Sequence, residues 1–178
     1  MFALVLGACA TPPAPSATEA ASSRRELDSG VDAALARLYA DTANTKETVA
    51  NAKAVLVIPR VVSAGLVIGG SYGRGALRVG DRTDGYYRAT GASLGLVAGA
   101  ESTDIFLLFM SDKALEKFRA SSGWTAGIDA SVALVKVGTT GRADSETARH
   151  DVLGFALSNG GLMANFSFEG TKLSKLDL

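Results

Sequence analysis

The sequence contains few of the residue types on which metal sites and covalent cross-links depend. It has one Cys and one His. A single Cys excludes an intramolecular disulfide, and one His beside one Cys is too few for a zinc site of the usual His/Cys kind. We therefore expect no metal site.

The chain also lacks an excess of either charge. Its 18 Lys and Arg residues balance 18 Asp and Glu residues. Proteins that bind nucleic acid usually carry a basic excess, so we expect no nucleic-acid partner, although a local basic patch stays possible. A length of 178 residues with 47% hydrophobic side chains is typical of one folded domain plus an appendage.

The motifs of common enzyme families are incomplete. The Gly-rich stretch 69–75 is followed by strand-like residues 76–79, where a dinucleotide-binding loop needs a helix. The Gly-Lys-Ser/Thr of a phosphate-binding loop is absent. His150 could form a triad with Asp151 and either Ser158 or Ser145, but no Gly-x-Ser-x-Gly turn presents the serine. We therefore expect strand-bending glycines, no bound cofactor, no catalytic residues and no enzyme activity.

An apolar run at the N-terminus ends in the single Cys. Its last four residues, Leu6-Gly7-Ala8-Cys9, resemble the lipobox of bacterial lipoproteins, in which small residues fit the signal peptidase and the thiol is acylated. The run is too short to span a membrane, which takes about 20 apolar residues. No basic residue precedes it, so we expect the true start to lie upstream. The alternative is an accidental match. We predict a lipoprotein signal remnant over residues 1–9, with Cys9 as the lipid attachment site.

Residues 10–24 are rich in Pro, Ala, Ser and Thr and include three of the four prolines. This composition predicts an extended spacer. The residue after Cys9 is Ala10 and not Asp, which by resemblance to enteric lipoproteins favours sorting to the outer membrane. We therefore expect a lipid-anchored protein of the bacterial cell envelope, on either face of the outer membrane.

The remaining chain predicts an α+β fold. Leu27, Val31, Leu35 and Leu38 recur at helical spacing and indicate a helix over 25–39. A short, β-branched apolar run, 54–58, indicates a buried strand. The other predicted elements are a helix over 45–52 opened by an Asn44–Glu47 capping box, a hairpin of strands 64–79 and 86–100 around the turn 80–85, strands 103–110 and 124–137, a helix over 112–119, and a hairpin of 151–157 with 162–168. Strands without regular crossover helices predict a mostly antiparallel, Gly-rich sheet, sandwich-like or barrel-like, with two N-terminal helices and one short internal helix.

Five blocks in order resemble the SYLF domain family. They are residues 53–59, 64–70, 91–100, 123–130 and 160–172. The resemblance spans roughly residues 25–176 and predicts a SYLF-like domain over 25–178. It implies lipid binding. Its eukaryotic members are associated with phosphoinositides and actin, neither of which suits a bacterial envelope, so a phospholipid membrane is the expected partner.

Basic residues supply the candidate contacts to phospholipid phosphates, because Arg and Lys form charge-assisted hydrogen bonds with phosphate. The candidates are Lys53 and Arg60 beside the first strand, Arg74, Arg78 and Arg88 on the first hairpin, and Trp124 as an aromatic at the rim of a lipid site. Arg74 and Arg78 are evenly spaced and should share a sheet face. The alternatives are solvated edge charges and, for Trp124, a place in the core. The alternative function is a structural envelope protein that binds a protein partner or the cell wall and touches lipid only through its anchor.

Overall fold

The computed structural model describes residues 16–64, 68–94, 101–135, 150–158, 161–163 and 166–178. Cys9 and the predicted lipobox lie outside the described residues. Within the described ranges the chain forms three helices and nine strands. They are α1 (Ala17–Asp41), α2 (Thr45–Asn51), β1 (Ala54–Ala64), β2 (Ile68–Val79), β3 (Arg82–Leu94), β4 (Glu101–Phe109), α3 (Asp112–Ala120), β5 (Trp124–Thr125), β6 (Ala133–Leu134), β7 (Val152–Ser158), β8 (Gly161–Leu162) and β9 (Lys172–Leu176).

The strands form one strongly curled sheet, a half-barrel, in the order β5-β9-β3-β2-β1-β4-β7-β6, with β8 beside β7. The pairings are antiparallel except that of β6 with β7. This confirms the predicted α+β class, the mostly antiparallel barrel-like sheet, and the two N-terminal helices and one short internal helix.

The central strands are buried on both faces. Val55 and Val57 of β1 pack in the core beneath α1, together with Val31 and Leu38 of that helix. The alternate residues of β1 join a second core on the opposite face of the sheet, where α3 also packs. Burial of both faces explains why the run 54–58 is continuously apolar and does not alternate.

Helix α1 begins eight residues earlier than the predicted residue 25. Ser16 caps it: its side chain accepts a hydrogen bond from the backbone N–H of Glu19, and the Glu19 side chain accepts from the Ser16 N–H. This capping box was visible in the sequence as Ser-x-x-Glu. Residues 17–24 are therefore helical and do not form the extended spacer that their composition predicts.

Helix α2 matches the prediction more closely, but its expected cap is wrong. Asn44 adopts a left-handed backbone with φ +65°, and its side chain makes no capping hydrogen bond. The predicted Asn44–Glu47 capping box is therefore absent. Ser111, by contrast, accepts the Ala114 N–H at the start of α3, as a cap should.

Four strand predictions need correction. Of the predicted strand 162–168, only residue 162 lies in a strand among the residues that the structure describes. The first hairpin turns on two residues, Gly80 and Asp81, with Gly80 at φ +58°, and not on residues 80–85. The predicted strand 124–137 is broken by a turn, in which Asp129 accepts the Thr125 N–H at 2.6 Å. Strand β9 was missed, because its residues 172–176 are short, half polar and paired with the distant β3.

A bulge in β1 makes one glycine of β2 essential. The register of β1 shifts between Ile58 and Val61 against β4, and β2 passes close to this point. A Cβ on Gly75 would collide with the Val57 carbonyl oxygen and lie 2.8 Å from the Ile58 Cα. Both obstacles are backbone atoms, so no side-chain rotation can relieve the contact.

We expect Gly75→Ala to lower the free energy of unfolding by about 2 kcal/mol, the usual range for overpacking. Gly70→Ala, in the same strand, is the matched control. The nearest atom to its added Cβ is 3.9 Å away, so its effect should stay within about 0.5 kcal/mol. Urea unfolding measures both, and equal values for the two variants would contradict the assigned role of Gly75.

Candidate functional site

A groove lies between the middle of α1 and the bulged part of β1 and β2. Its volume is about 520 Å³, within the usual range of ligand sites. Leu27 and Gly30 of α1 form one wall, and the sheet forms the other with Pro59, Arg60, Val62 and residues 70–74. Gly30 leaves room for Pro59, whose ring would lie 3.4 Å from an added Cβ. The groove is therefore a product of helix-on-sheet packing.

Two large apolar side chains are exposed at this groove. Val62 of β1 is 47% exposed and Tyr72 of β2 is 52% exposed. The two residues are register partners, so they lie side by side on neighbouring strands. Elsewhere in the described part of the chain, Ile128 is the one other large hydrophobic with comparable exposure. Exposed apolar area is thus concentrated at the groove.

Three arginines border the same place. Arg60 and Arg74 line the groove, and Arg88 is the register partner of Arg74 on β3. Like charges directly opposite each other on a sheet are destabilising. Over the residues that the structure describes, none of the three guanidinium groups makes an ion pair or a hydrogen bond. We call this set, Arg60, Arg74 and Arg88 with Val62 and Tyr72, the arginine groove. Glu26 of α1 also lines the cavity.

Arg78 shares the helix-facing side of β2 with Arg74, as the even spacing predicts, but it is already engaged. Its Nη2 lies 2.7 Å from Asp32 Oδ1 and 3.4 Å from Asp28 Oδ1, and its side chain is only 14% exposed. Asp28 also accepts a hydrogen bond from Tyr86. Burial, followed by that hydrogen bond, raises the pKa of the Tyr86 phenol, so the phenol stays the donor. Arg78 therefore joins α1 to the sheet and is not available to a ligand.

Two other predicted residues also lie away from the groove. Lys53 forms an ion pair of 3.3 Å with Asp112 at the start of α3. Trp124 is 2% exposed and packs edge-to-face on Phe109 and Phe118. Its burial matches the core alternative, so Trp124 is not an aromatic at the rim of a lipid site. The structure thus brings together three of the six predicted contact residues.

Asp104 is the main component near the groove that the sequence reasoning missed. It is buried, and its Oδ1 accepts the Arg60 N–H at 2.8 Å, while Arg37 binds its Oδ2. An acidic residue directly before the apolar run 105–109 was the available signal, because a carboxylate in such a place needs partners.

Metal-ligand clusters and membrane-spanning helices are absent from the described ranges. No cluster of three or more His, Cys, Asp or Glu side chains there could hold a metal ion. No helix there has the length and apolar character needed to cross a membrane. His150, the one histidine, is exposed just before β7.

A comparison with protein families finds a match in the second half of the chain. Residues 90–177 match the sequence model of the Ysc84 (SYLF) family, described as Las17-binding protein actin regulator. The second half of the chain is therefore similar to the SYLF family. This confirms the predicted resemblance. No curated protein matches the chain.

The matched segment begins after the three arginines in sequence. It takes in the last part of β3, then β4, α3 and the strands that follow. Arg60, Arg74 and Arg88 all precede residue 90, whereas Asp104 lies within the match. The family match therefore does not include the arginines of the groove, which are brought together by the geometry of the fold.

Proposed function

We propose that this protein is a lipid-anchored lipoprotein of the bacterial envelope, whose SYLF domain binds anionic phospholipid at the arginine groove without catalysing a reaction. One observation carries the proposal. Arg60 and Arg74 line a groove that also exposes Val62 and Tyr72, Arg88 lies beside Arg74 on the next strand, and none of the three arginines has an ion-pair partner among the described residues.

The chemistry of the groove suits a phospholipid. A guanidinium group forms two parallel hydrogen bonds to a phosphate and keeps its charge at every physiological pH. A Tyr ring has an apolar body and a polar hydroxyl, which suits the boundary between headgroups and acyl chains. The groove thus offers charge for the headgroup beside apolar surface for the upper acyl chain.

The proposed anchor would keep the groove within reach of a bilayer. Ser16 follows Cys9 by seven positions, and seven residue steps of chain extend to about 25 Å at most. The groove residues of α1 begin at Glu26, about 15 Å farther along the helix at 1.5 Å per residue. An acylated Cys9 would therefore hold the groove within about 40 Å of the membrane surface. Acyl chains contribute about 0.8 kcal/mol per buried CH₂, and more than one chain anchors stably.

Vesicle flotation tests the proposal on the full chain carrying Cys9→Ser, which removes the anchor. We expect binding to phosphatidylglycerol vesicles at low salt, and a loss of at least about tenfold in affinity at 0.5 M salt, where charges are screened beyond about 4 Å. Pure phosphatidylcholine vesicles should bind weakly at both salt concentrations. Absence of binding to the anionic vesicles at low salt would rule out the lipid proposal.

That negative result would favour a second function. The family description names a protein partner, since it refers to binding of Las17. An exposed groove with apolar and cationic side chains could equally take an acidic peptide of an envelope protein. The protein would then touch lipid only through its anchor.

A further inference from the structure

Arg60 has an unusual backbone conformation. Its φ is +50°, and Asn44 is the one other non-glycine residue in the described ranges with a positive φ. For a residue with a Cβ this left-handed conformation costs about 1–2 kcal/mol. Strained residues of this kind persist where surrounding structure holds them, and they cluster at functional sites. Contacts around Arg60 must therefore stabilise this conformation.

The bulge in β1 decides on which face of the sheet the Arg60 side chain lies. In a regular strand, residues two apart share a face, so Arg60 would join Leu56 and Ile58 in the core on the α3 side of the sheet. The extra residue of the bulge changes this order. Val61 takes the next core position, while the Arg60 side chain is exposed and lines the groove on the helix side.

A buried carboxylate holds this arrangement. Asp104, on the neighbouring strand β4, is 6% exposed. Its Oδ1 accepts the Arg60 backbone N–H at 2.8 Å. Its Oδ2 accepts from Arg37 of α1, at 3.0 Å from Nε and 2.5 Å from Nη2. Burying a carboxylate is costly unless it is paired and hydrogen-bonded, and here the partners are the bulge and a cation from the helix.

We propose that Asp104 is a positioning residue for phospholipid binding: by holding the Arg60 N–H in the bulge, it turns the Arg60 guanidinium out of the core and into the groove. Arg37 compensates the charge of the buried carboxylate and ties α1, the opposite wall of the groove, to the same point. This inference rests on the proposed function, because it assumes that Arg60 contacts lipid phosphate.

A double-mutant cycle on the full Cys9→Ser chain tests the role of Asp104 with phosphatidylglycerol vesicles. Arg60→Gly removes the guanidinium but keeps a residue that readily adopts positive φ. Asp104→Ala removes the acceptor of the Arg60 N–H. We expect each single change to weaken binding about fivefold, the contribution of one cation near an anionic surface. The double variant should be no weaker than either single variant, because the two changes remove the same contact.

Asp104→Asn is the conservative variant, since its amide oxygen can still accept the Arg60 N–H. We expect it to bind within about twofold of the parent chain. A purely structural Asp104 would instead weaken binding by the same factor whether residue 60 is Arg or Gly. That outcome would overturn the positioning role and leave the proposed function standing. Unchanged binding of Arg60→Gly would overturn both the positioning role and the assigned contact of Arg60.

Amide hydrogen exchange gives a second test that needs no folded Asp104→Ala chain. The Arg60 N–H should exchange slowly in the Cys9→Ser chain and in Asp104→Asn, because both offer an acceptor at this position. Exchange at the rate of an unprotected amide in the parent chain would overturn the proposal.

Discussion

Replacing Arg60, Arg74 and Arg88 together by Gln should weaken the binding of the Cys9→Ser chain to phosphatidylglycerol vesicles by about 100-fold at low salt. Each cation close to an anionic surface contributes about 1 kcal/mol, and three such contributions amount to about two factors of ten. The stability of the folded state should change little. The three side chains are exposed and lack ion-pair partners among the described residues, so unfolding free energy should change by less than about 0.5 kcal/mol.

The matched control replaces three exposed cations outside the groove, Lys46, Arg82 and Lys113, by Gln. It changes the net charge by the same amount. Since these residues lie on α2, at the start of β3 and on α3, we expect a loss of less than about fivefold from the smaller overall attraction. Equal losses in the two triple variants would mean that the domain responds to net charge alone and has no site at the groove.

Cys9→Ser in the natural precursor, expressed in a bacterium that processes lipoproteins, should move the protein out of the detergent phase. The physical reason is the loss of the acyl chains, each worth about 0.8 kcal/mol per buried CH₂. The groove alone, with three cations and two apolar side chains, binds too weakly to replace them. Thr11→Ser, two residues away, is the control and should partition like the parent. Mass spectrometry of the parent should find acyl groups on Cys9.

Persistent partitioning of the Cys9→Ser protein into detergent would contradict the anchor proposal. It would leave the groove proposal intact, because the vesicle experiments use a chain that lacks the anchor. The two predictions therefore fail independently.

Short-range patterns in the sequence predicted much of this fold. The apolar run 54–58 predicted a strand buried on both faces, and the spacing of Leu27, Val31 and Leu38 predicted the buried stripe of α1. Alternation also placed Arg74 and Arg78 on one face of β2. Each of these inferences depends on a local period, which the sequence displays directly.

The site was harder to predict because its composition depends on contacts between distant segments. Arg78 looked equivalent to Arg74, but Asp28 and Asp32 of α1 neutralise it across about 50 residues of sequence. Lys53 is likewise occupied by Asp112. Neither ion pair leaves a local signature in the sequence.

Arg60 shows a second limit of pattern reasoning. Strict alternation from Ile58 would have placed its side chain in the core, and only the bulge brings it to the groove. At the bulge, Asp104 of β4 accepts the Arg60 N–H, and Gly75 of β2 leaves room for the backbone of Val57 and Ile58. A single-strand pattern cannot reveal such a feature.

The most direct measurement of the central claim is quenching of a Trp placed at the groove by brominated phosphatidylglycerol in vesicles. Tyr72→Trp puts the reporter in the arginine groove, and Ile128→Trp puts one at a second exposed apolar position, 81% exposed, away from it. The native Trp124 is buried and gives the same background in both chains. We predict strong quenching at position 72 and little at position 128. Equal quenching at the two positions, or quenching only at position 128, would contradict the claim that this groove contacts the lipid.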